Sequence, residues 1–424
     1  MERRAFFLAL GLAIVAATTA CKPAERRSAT VTPLLGTGTV STSRQDLERT
    51  IASMRTRVAA APDDGPAAVM LADALLRQAR VSGNAGLANE AERALRAVLE
   101  SDSERYDARR MLAATYLSQH RFADALREAE RCRRIRTDDA WVWGVIGDAH
   151  VERGEYDAAF DAFDRMAAIK PTAAAYARVS YARELQGDLT GALQTMQMAA
   201  EATSAHDPES LAWHYAQLGQ LHLEMGRLGD ARRAFLRANH AFPRHPFAEI
   251  GLARVAEASG DLRTALDIVM KLLETAPTPA DLAYSGDLMT KLGLTDAAER
   301  QYRLAEAAWR SDAPEPSRLS RFLAERGRRL DDAIAIGEQA RIDRDDIFTA
   351  DALAWAYFQT GQIEKARTMV DRALRTGTRD RVIRSHAASI ARATGRSVRL
   401  QPDRSVRLQP DGSVRLQPDQ QTHR

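Results

Sequence analysis

The sequence predicts an all-α fold, and three observations indicate it. Ala, Leu, Arg and Glu dominate the composition, as they do in long helices, and aromatic residues make up only 6% of the chain. Continuous β-branched runs, which would mark a buried parallel sheet, do not occur. One pattern of small, bulky and helix-ending residues returns about every 34 residues. Together these observations predict a repetitive array of helix pairs.

The chain is too long for a single hydrophobic core. It has 424 residues, whereas a single core stops growing at roughly 250–300 residues. No linker interrupts residues 44–395, so two unlike domains are not expected. A repeat array satisfies both facts, because each helix pair then buries its apolar face against its neighbours in the array.

One unit shows the repeated pattern clearly, with Gly147, Gly154, Ala159, Phe163 and Pro171. The first small residue lets two helices approach closely, and the glycine that follows ends the first helix at positive φ. The alanine packs the second helix against the first, the bulky residue fills the gap to the next unit, and proline stops the second helix. The same offsets recur in full at Gly219, Gly226, Ala231, Phe235 and Pro243, and at Ala253, Gly260, Ala265, Val269 and Pro277. They recur without the proline at Gly286, Gly293, Ala298 and Tyr302, and at Ala354, Gly361, Ala366 and Val370. An earlier unit has Ala113, His120, Ala125 and Ala129, where His120 replaces the turn glycine.

This pattern resembles that of the tetratricopeptide-repeat (TPR) family, most closely in residues 140–172 and 212–245. The resemblance implies an α-solenoid of about nine helix-turn-helix pairs, within residues 44–395, that forms a right-handed superhelix. In the unit that begins near residue 314, Arg321 stands where a small residue is usual and Gly337 where a bulky one is. The pairs are expected to begin near residues 65, 106, 140, 173, 212, 246, 279, 314 and 347, with single helices at 44–60 and 381–395.

The first 21 residues are typical of a bacterial export signal. Arg3 and Arg4 precede sixteen uncharged, mostly apolar residues, a stretch too short for a comfortable membrane span. The small residues before Cys21 resemble a bacterial lipobox, which implies that Cys21 becomes the lipidated first residue of the mature protein. The resemblance departs at Thr18, where an aliphatic residue is usual. An ordinary cleaved signal and an uncleaved anchor are the alternatives.

This signal predicts an exported protein that is lipid-anchored to the cell envelope and faces the periplasm. Its basic end stays on the cytoplasmic side, so the repeats are carried across the membrane. Lys22 follows the cysteine, which in lipoproteins of Gram-negative type favours the outer membrane. Residues 22–43, rich in Pro, Thr, Ser and Gly, are predicted to form a flexible tether between the anchor and the repeats.

The C-terminal segment, residues 396–424, is predicted to be a disordered tail. The heptapeptide Ser-Val-Arg-Leu-Gln-Pro-Asp occurs three times, beginning at Ser397, Ser405 and Ser413. The regularly spaced prolines prevent a continuous helix, and three Val/Leu pairs are too few for a core. A basic arm for anionic lipid or cell-wall polymer is one reading, and translated repetitive DNA without a function of its own is the favoured one.

The charge distribution argues against nucleic acid as a partner. The chain carries a net charge of +3, but residues 1–44 contribute +4 and residues 396–424 contribute +3, which leaves −4 on the repeats. Proteins that bind phosphate backbones carry a basic stripe instead. We therefore expect protein partners, and neither nucleic acid nor a small-molecule substrate.

No catalytic or metal-binding motif is recognisable. The motifs GxxxxGK[ST], GxGxxG, HExxH and CxxC are all absent from the sequence. Cys132, His150 and His222 occupy helical positions that predict core or semi-core residues. His240 and His245 are predicted to lie in a surface turn. The sequence therefore predicts a protein that is not an enzyme and holds no cofactor and no metal.

The TPR resemblance places partner binding on the first helix of each pair, which lines the concave groove in that family. The residues at the corresponding positions mix aromatic rings with single charges of both signs, a combination that suits an extended peptide or a partner helix. For Trp141, Trp213, Phe247 and Phe348, the alternative is that the ring only covers the preceding second helix. The predicted groove residues are Arg110, Trp141, Asp148, Tyr181, Glu184, Trp213, Gln220, Phe247, Arg254, Glu257, Asp287, Phe322, Arg326, Phe348, Asp351, Trp355 and Phe358.

These expectations combine into a non-catalytic protein-interaction scaffold at the bacterial cell envelope. Two alternatives remain open from the sequence. One is a chaperone-like adaptor that holds a single exported client. The other is an accessory subunit of a polysaccharide-export or secretion machine, a role that TPR proteins can fill.

Overall fold

The computed structural model describes residues 43–311 and 315–394, all of them within the structural unit Val40–Arg424. All regular secondary structure in these residues is α-helical, which confirms the predicted fold class. None of the helices described is long and apolar enough to cross a membrane. The predicted signal, tether and tail lie outside the described residues, and so does Cys21.

In the described part of the chain, a single helix precedes nine helix pairs and another single helix follows them. The single helices are α1 (Arg44–Ala60) and α20 (Arg381–Thr394). The pairs are α2 (Gly65–Ser82) with α3 (Gly86–Ser101), α4 (Tyr106–Ser118) with α5 (Phe122–Ile135), α6 (Ala140–Glu152) with α7 (Tyr156–Ile169), α8 (Ala173–Leu185) with α9 (Leu189–Glu201), α10 (Pro208–Glu224) with α11 (Leu228–Ala241), α12 (Pro246–Ala258) with α13 (Leu262–Leu273), α14 (Pro279–Lys291) with α15 (Thr295–Ser311), α16 (Pro316–Glu325) with α17 (Leu330–Ala340), and α18 (Ile347–Gln359) with α19 (Ile363–Ala373).

Side-chain caps and prolines fix where several first helices begin. The side chain of Asp207 accepts a hydrogen bond from the backbone N–H of Ser210, and a proline follows it as the first residue of α10. Thr278 caps α14 in the same way before its proline. The first helix of this fifth pair therefore begins at Pro208, four residues before the expected start, because the cap and the proline determine its first turn.

The predicted close approach of the two helices in a pair depends on glycine. A Cβ atom at Gly147 would lie within 3.0 Å of the ring of Phe163, so only glycine leaves room for that ring. The ring of Phe235 lies equally close to Gly219 in its own pair and to Gly251 in the next pair. Both rings are fully buried. The bulky residue therefore joins neighbouring pairs as the pattern predicted, and deleting such a side chain typically costs about 3–5 kcal/mol of stability.

The eighth pair corrects one prediction. Arg321 does not occupy the small position, because the turn after α16 is one residue longer than in most other pairs and the register shifts. Arg329 takes the additional place at positive φ, after the usual glycine, Gly327. The small residue is Ser320, which is fully buried and donates a hydrogen bond of 2.7 Å to the backbone oxygen of Ala333.

Gly337 of the same pair is not a packing defect either. A Cβ atom there would lie within 3.0 Å of both the Ser320 hydroxyl and the Leu353 side chain. Leu353, from the first helix of the next pair, is buried and fills the space that a bulky residue would otherwise take. The bulky partner is therefore supplied by the following pair.

The array also contacts itself at a long sequence distance, which nearest-neighbour stacking does not predict. The turn inside each of the first four pairs lies against a loop that is about 190 residues further along the chain. In each case that loop comes just before a later helix. We call this line of contacts the seam. It joins Gly83 to Pro277, His120 to Glu315, Gly154 to Asp345, and Gly187 to Gly377.

The seam is best developed between the third and ninth pairs. The Tyr156 hydroxyl accepts a hydrogen bond of 2.9 Å from the backbone N–H of Ile347, which is fully buried. Beside it, the guanidinium of Arg344 forms an ion pair of 2.6 Å with Glu152. A buried hydrogen bond and a largely enclosed ion pair need well-defined geometry. They therefore fix how the third and ninth pairs lie against each other.

A second long-range contact ties α2 to α10. The carboxylate of Glu209 is fully buried, and Arg80 donates two hydrogen bonds of 2.8 Å to it. Arg77 also reaches this carboxylate, at 3.4 Å, and Asp207, at 3.0 Å. A buried carboxylate without such partners would strongly destabilise the fold, so these arginines fix the position of α2 against α10.

The prediction that His245 lies in a surface turn is wrong. His245 is fully buried beside the ring of Phe242, because α1 and α2 approach this loop. The guanidinium of Arg44, on α1, lies 5.0 Å from the centre of the Phe242 ring. Burial, together with the nearby Arg80 and Arg44, lowers the pKa of His245 to about 3. His240 is exposed but lies in the last turn of α11 and not in the predicted surface turn, whereas Cys132 is fully buried as predicted.

Candidate partner-binding wall

The first helices of neighbouring pairs contact one another directly along the array. Such contacts join α2 to α4, α4 to α6, α6 to α8, α10 to α12, and α16 to α18. The array therefore curves with its first helices on the inner side. We call the faces of the first helices that carry the predicted groove residues the inner wall.

Polar and charged residues of the inner wall form contacts with residues on the first helix of the following pair. Asp148 on α6 accepts a hydrogen bond of 2.6 Å from Arg178 on α8. Gln220 on α10 lies 3.4 Å from Arg254 on α12. Such pairs bridge neighbouring helices, so they hold the wall at a defined spacing rather than leaving each charge free in solvent.

The same arrangement continues towards the C-terminal pairs. Glu257 on α12 accepts a hydrogen bond of 2.8 Å from the hydroxyl of Tyr284 on α14 and also pairs with Lys291. Asp287 on α14 accepts two hydrogen bonds, of 2.5 and 3.0 Å, from the guanidinium of Arg326. Two parallel bonds of this kind are stronger and more directional than a single contact.

Trp141 is fixed by a charged pair of its own. Arg110 on α4 lies 2.9 Å from the carboxylate of Asp139, and its guanidinium is stacked 4.1 Å from the centre of the Trp141 ring. Asp139 also caps α6 by accepting a hydrogen bond from the backbone N–H of Trp141. The ring is half-buried and stays in one orientation, with part of its surface available to a partner.

The C-terminal end of the wall is closed by α20. His386 on α20 stacks on the ring of Trp355 at 4.1 Å between centres, and its Nδ1 atom lies 3.0 Å from the carboxylate of Asp351. Phe358 packs beside Trp355 at 5.4 Å. His386 therefore covers one face of the Trp355 ring, so that this face does not contact solvent.

One step of the wall brings the carboxyl groups of Glu184 and Glu224 close enough to influence each other. Burial and the charge of Glu224 raise the pKa of Glu184 to about 8. Burial, in addition to the charge of Asp380, also raises the pKa of Glu224. Burial raises the pKa of Tyr181 well above its ordinary value, as do the charges of Glu152 and Glu184. At neutral pH the carboxyl of Glu184 is therefore largely protonated.

The aromatic residues of the wall differ in how much surface they offer. Phe247 is 46% exposed, whereas Trp213 and Phe348 are half-buried. Trp213 packs edge-on against His214 at 5.3 Å between ring centres. Phe322 is buried beneath Trp309 and Arg326. A buried ring supports the wall from behind, so Phe322 does not contribute contact surface.

Two more predicted groove residues lie below the surface of the wall. Asp351 is 1% exposed, and Arg110 is 8% exposed. The carboxylate of Asp351 lies 3.0 Å from Nδ1 of His386, and Arg110 pairs with Asp139. Both residues position the neighbouring tryptophans, and the solvent-facing surface of the wall is formed by the half-buried and exposed members of the set.

Sequence reasoning missed the partners of these charges. Asp139, Arg178, Tyr284, Lys291 and His386 each pair with a predicted groove residue, but stand outside the positions that the TPR pattern assigns to the groove. A signal was present in the sequence. Most of the oppositely charged partners stand about one repeat length apart along the chain.

Comparison with known proteins agrees with this geometry. A family model described as tetratricopeptide repeat matches residues 115–174, 145–208 and 216–280. The chain contains tetratricopeptide repeats. The all-α repeat array predicted from the sequence is confirmed, and residues 115–208 and 216–280 of it match the repeat model. No catalytic family is indicated by the match.

A curated relative is the cellulose synthase operon protein C of Pseudomonas fluorescens (strain SBW25). It is 25% identical over 167 residues, which cover 37% of this chain and 13% of that protein. The match thus spans only a small part of the relative's length.

Two solved structures are similar to this chain. The human IFIT1 dimer with PPP-AAAA has a TM-score of 0.51 at 15% identity, covering 78% of this chain and 77% of that chain. At this identity the likeness shows the fold alone. Yeast Tom70 has a TM-score of 0.43 at 16% identity, covering 83% of this chain and 86% of its own.

The raised pKa of Glu184 predicts a pH dependence of stability. Between its ordinary pKa of 4.5 and about 8, the folded protein holds a proton that the unfolded chain releases. The free energy of unfolding should therefore fall as the pH rises through this range. Glu184→Gln, which binds no proton, should show a smaller fall between about pH 6.5 and about pH 8 in urea unfolding experiments.

Glu100→Gln, at an exposed carboxylate on α3, is the matched control and should keep the dependence of the unchanged protein. Burial lowers the pKa of His214 to about 4, so its contribution to stability changes with pH in the opposite sense; because this contribution is common to all three proteins, it cancels in the comparison. If Glu184→Gln and the unchanged protein lose the same stability between the two pH values, the carboxyl is not protonated in the folded state.

Proposed function

We propose that this protein is a non-catalytic interaction scaffold of the bacterial cell envelope. It is exported, lipid-anchored through Cys21 and faces the periplasm, where its inner wall binds peptide segments or helices of partner proteins. The TPR fold supports protein partners. The export and the anchor rest on the basic and apolar N-terminal residues and on the small residues before Cys21.

The observation that carries the proposal is the preorganised set of rings on the inner wall. Trp141 is held by Arg110 and Asp139 before any partner arrives. Phe247 presents nearly half of its surface to solvent. Rigid aromatic anchors lose little conformational freedom on binding and are enriched at the centres of protein interfaces. Single charges between them supply polar contacts along a bound segment.

A second candidate function is an accessory subunit of a polysaccharide-export machine. The similarity to part of a cellulose synthase operon protein favours it, because a TPR wall can hold the protein components of such a machine together. A chaperone-like adaptor for one exported client is a third possibility. Several stable co-purifying subunits would favour a scaffold or a machine, and one substoichiometric client would favour the adaptor.

Partner capture should depend on two tryptophans. The double change Trp141→Ala and Trp213→Ala should reduce the amount of partner crosslinked in cells by at least about tenfold. Each aromatic anchor that becomes buried in an interface typically contributes about 2 kcal/mol or more to the free energy of binding. The helical signal and the melting temperature should change little, since both rings are half-buried on the wall. Crosslinking in cells followed by mass spectrometry measures the first effect.

Trp143→Ala is the matched control. Trp143 also lies on α6, but its ring contacts Arg133 and Arg165 of the second helices, so its loss should leave capture intact. If the Trp141 and Trp213 changes lower stability and capture together, the rings belong to the core and the inner wall is not the binding surface.

The lipid anchor has its own test. In cells given a labelled fatty acid, the unchanged protein should incorporate the label and remain with the membranes after fractionation. Cys21→Ser should abolish the label, because the thiol that would carry the lipid is absent. A Cys21→Ser protein that still carries the label, or label-free unchanged protein, would overturn the assignment of Cys21 as the lipidated residue.

A further inference from the structure

The outer face of three successive second helices, α11, α13 and α15, exposes large apolar side chains. Leu236 is 42% exposed, Met270 is 36% exposed and Leu304 is 54% exposed. In each helix this side chain comes one or two residues after the bulky residue that packs inward in its pair. The three side chains therefore occupy nearly equivalent outward positions. Isolated exposed leucines are common, but here such a side chain recurs at a nearly equivalent position on three successive second helices, so the three define one candidate surface.

The charges around these side chains are predominantly positive. The exposed charged residues of α11, α13 and α15 are eight cations and two carboxylates; three further carboxylates, Asp230, Glu299 and Glu306, are half-buried and pair with Arg233, Arg303 and Arg310. The cations are Arg232, Arg233, Arg237, Arg263, Lys271, Arg300, Arg303 and Arg310, and the carboxylates are Asp267 and Asp296. Other second helices differ, since α7 and α17 each contain more carboxylates than cations. We call this apolar and cationic surface of α11, α13 and α15 the basic outer face.

We propose that the basic outer face docks on the surface of an anionic phospholipid bilayer. Charge complementarity selects a negatively charged partner, because each cation near an anionic leaflet strengthens binding. The apolar side chains stand singly on three helices and can each enter the headgroup boundary without a matching pocket, as interfacial helices do. The docking orients the repeats on the membrane, and in the anchored protein it adds to the proposed lipid attachment at Cys21.

A second copy of the chain is a poorer occupant of the same face. In a symmetric dimer the same surface meets itself, which would bring eight cations against eight. Like charges placed opposite each other in an interface are unfavourable. The inner wall stays open in the membrane-docked arrangement, because it is formed by the first helices whereas the basic outer face is formed by second helices.

The test uses residues 22–424, the chain that remains when the predicted signal and Cys21 are removed, so that neither the apolar signal nor a lipid contributes to binding. Its fraction bound to floating vesicles is compared between phosphatidylcholine alone and phosphatidylcholine mixed with phosphatidylglycerol. The expected result is a clear preference for the mixed vesicles that weakens with added salt. In this background Leu236→Ser, Met270→Ser and Leu304→Ser together should lower the partition onto mixed vesicles by about tenfold.

Two further variants make the result specific. Arg232→Gln, Arg263→Gln and Arg300→Gln together should lower binding to mixed vesicles by about tenfold, the change expected from losing a few Lys or Arg contacts with an anionic leaflet. The control combines Ile135→Ser, Ile169→Ser and Ile342→Ser, which lie elsewhere on the surface and are 51%, 37% and 71% exposed. This control should bind like the parent chain.

Several outcomes would overturn the proposal. They are equal binding of the basic-face variants and the parent, equal losses in the basic-face and control variants, and equal binding to both kinds of vesicle. A parent chain that sediments as a dimer, and becomes monomeric with the serine changes while vesicle binding is unaffected, would assign the face to self-association. None of these results depends on partner capture by Trp141 and Trp213, so the two proposals fail separately.

Discussion

The absence of a side chain at a few glycines is the constraint on which this structure depends. In the helices, Gly147, Gly219 and Gly251 leave room for phenylalanine rings that would collide with any Cβ atom. Because the ring of Phe235 meets a glycine in its own pair and another in the next pair, one contact closes a pair and joins two pairs. Close packing of this kind has little tolerance for added volume, so it sets the spacing of the first helices and thereby the inner wall.

The seam adds a second constraint to the wall. Stacking between neighbours alone would allow small changes in rotation to accumulate along the array. The hydrogen bond between Tyr156 and Ile347 and the ion pair between Glu152 and Arg344 join pairs that are far apart in sequence. The pairs between them therefore have less freedom to change curvature. The rings that we propose as partner-binding on these pairs are held by the same contacts that stabilise the fold, which favours binding without a large rearrangement.

Local features of the fold were predictable because they depend on neighbouring residues. Helix starts, turn glycines and the ring-to-glycine contacts follow from offsets within one repeat, and His120 adopts the positive φ expected of the glycine it replaces. The additional residue in the turn before Ala333 was not predicted, because the eighth pair was matched to the other pairs through the residues of its second helix. The seam, the burial of His245 and the cationic partners of the wall depend on where distant repeats or side chains meet. Such positions follow from superhelical curvature, which no single repeat encodes.

The comparison that tests the central claim most directly is between two turn glycines. Gly154 and Gly260 both have positive φ, but a Cβ atom at Gly154 would meet the backbone oxygen of Asp345 in the seam, whereas one at Gly260 would meet nothing within 4 Å. In urea unfolding, Gly260→Ala should cost about 1 kcal/mol for the backbone conformation. Gly154→Ala should cost about 1–3 kcal/mol more because of the collision. Equal losses in the two variants would contradict a seam in which distant repeats meet at these glycines.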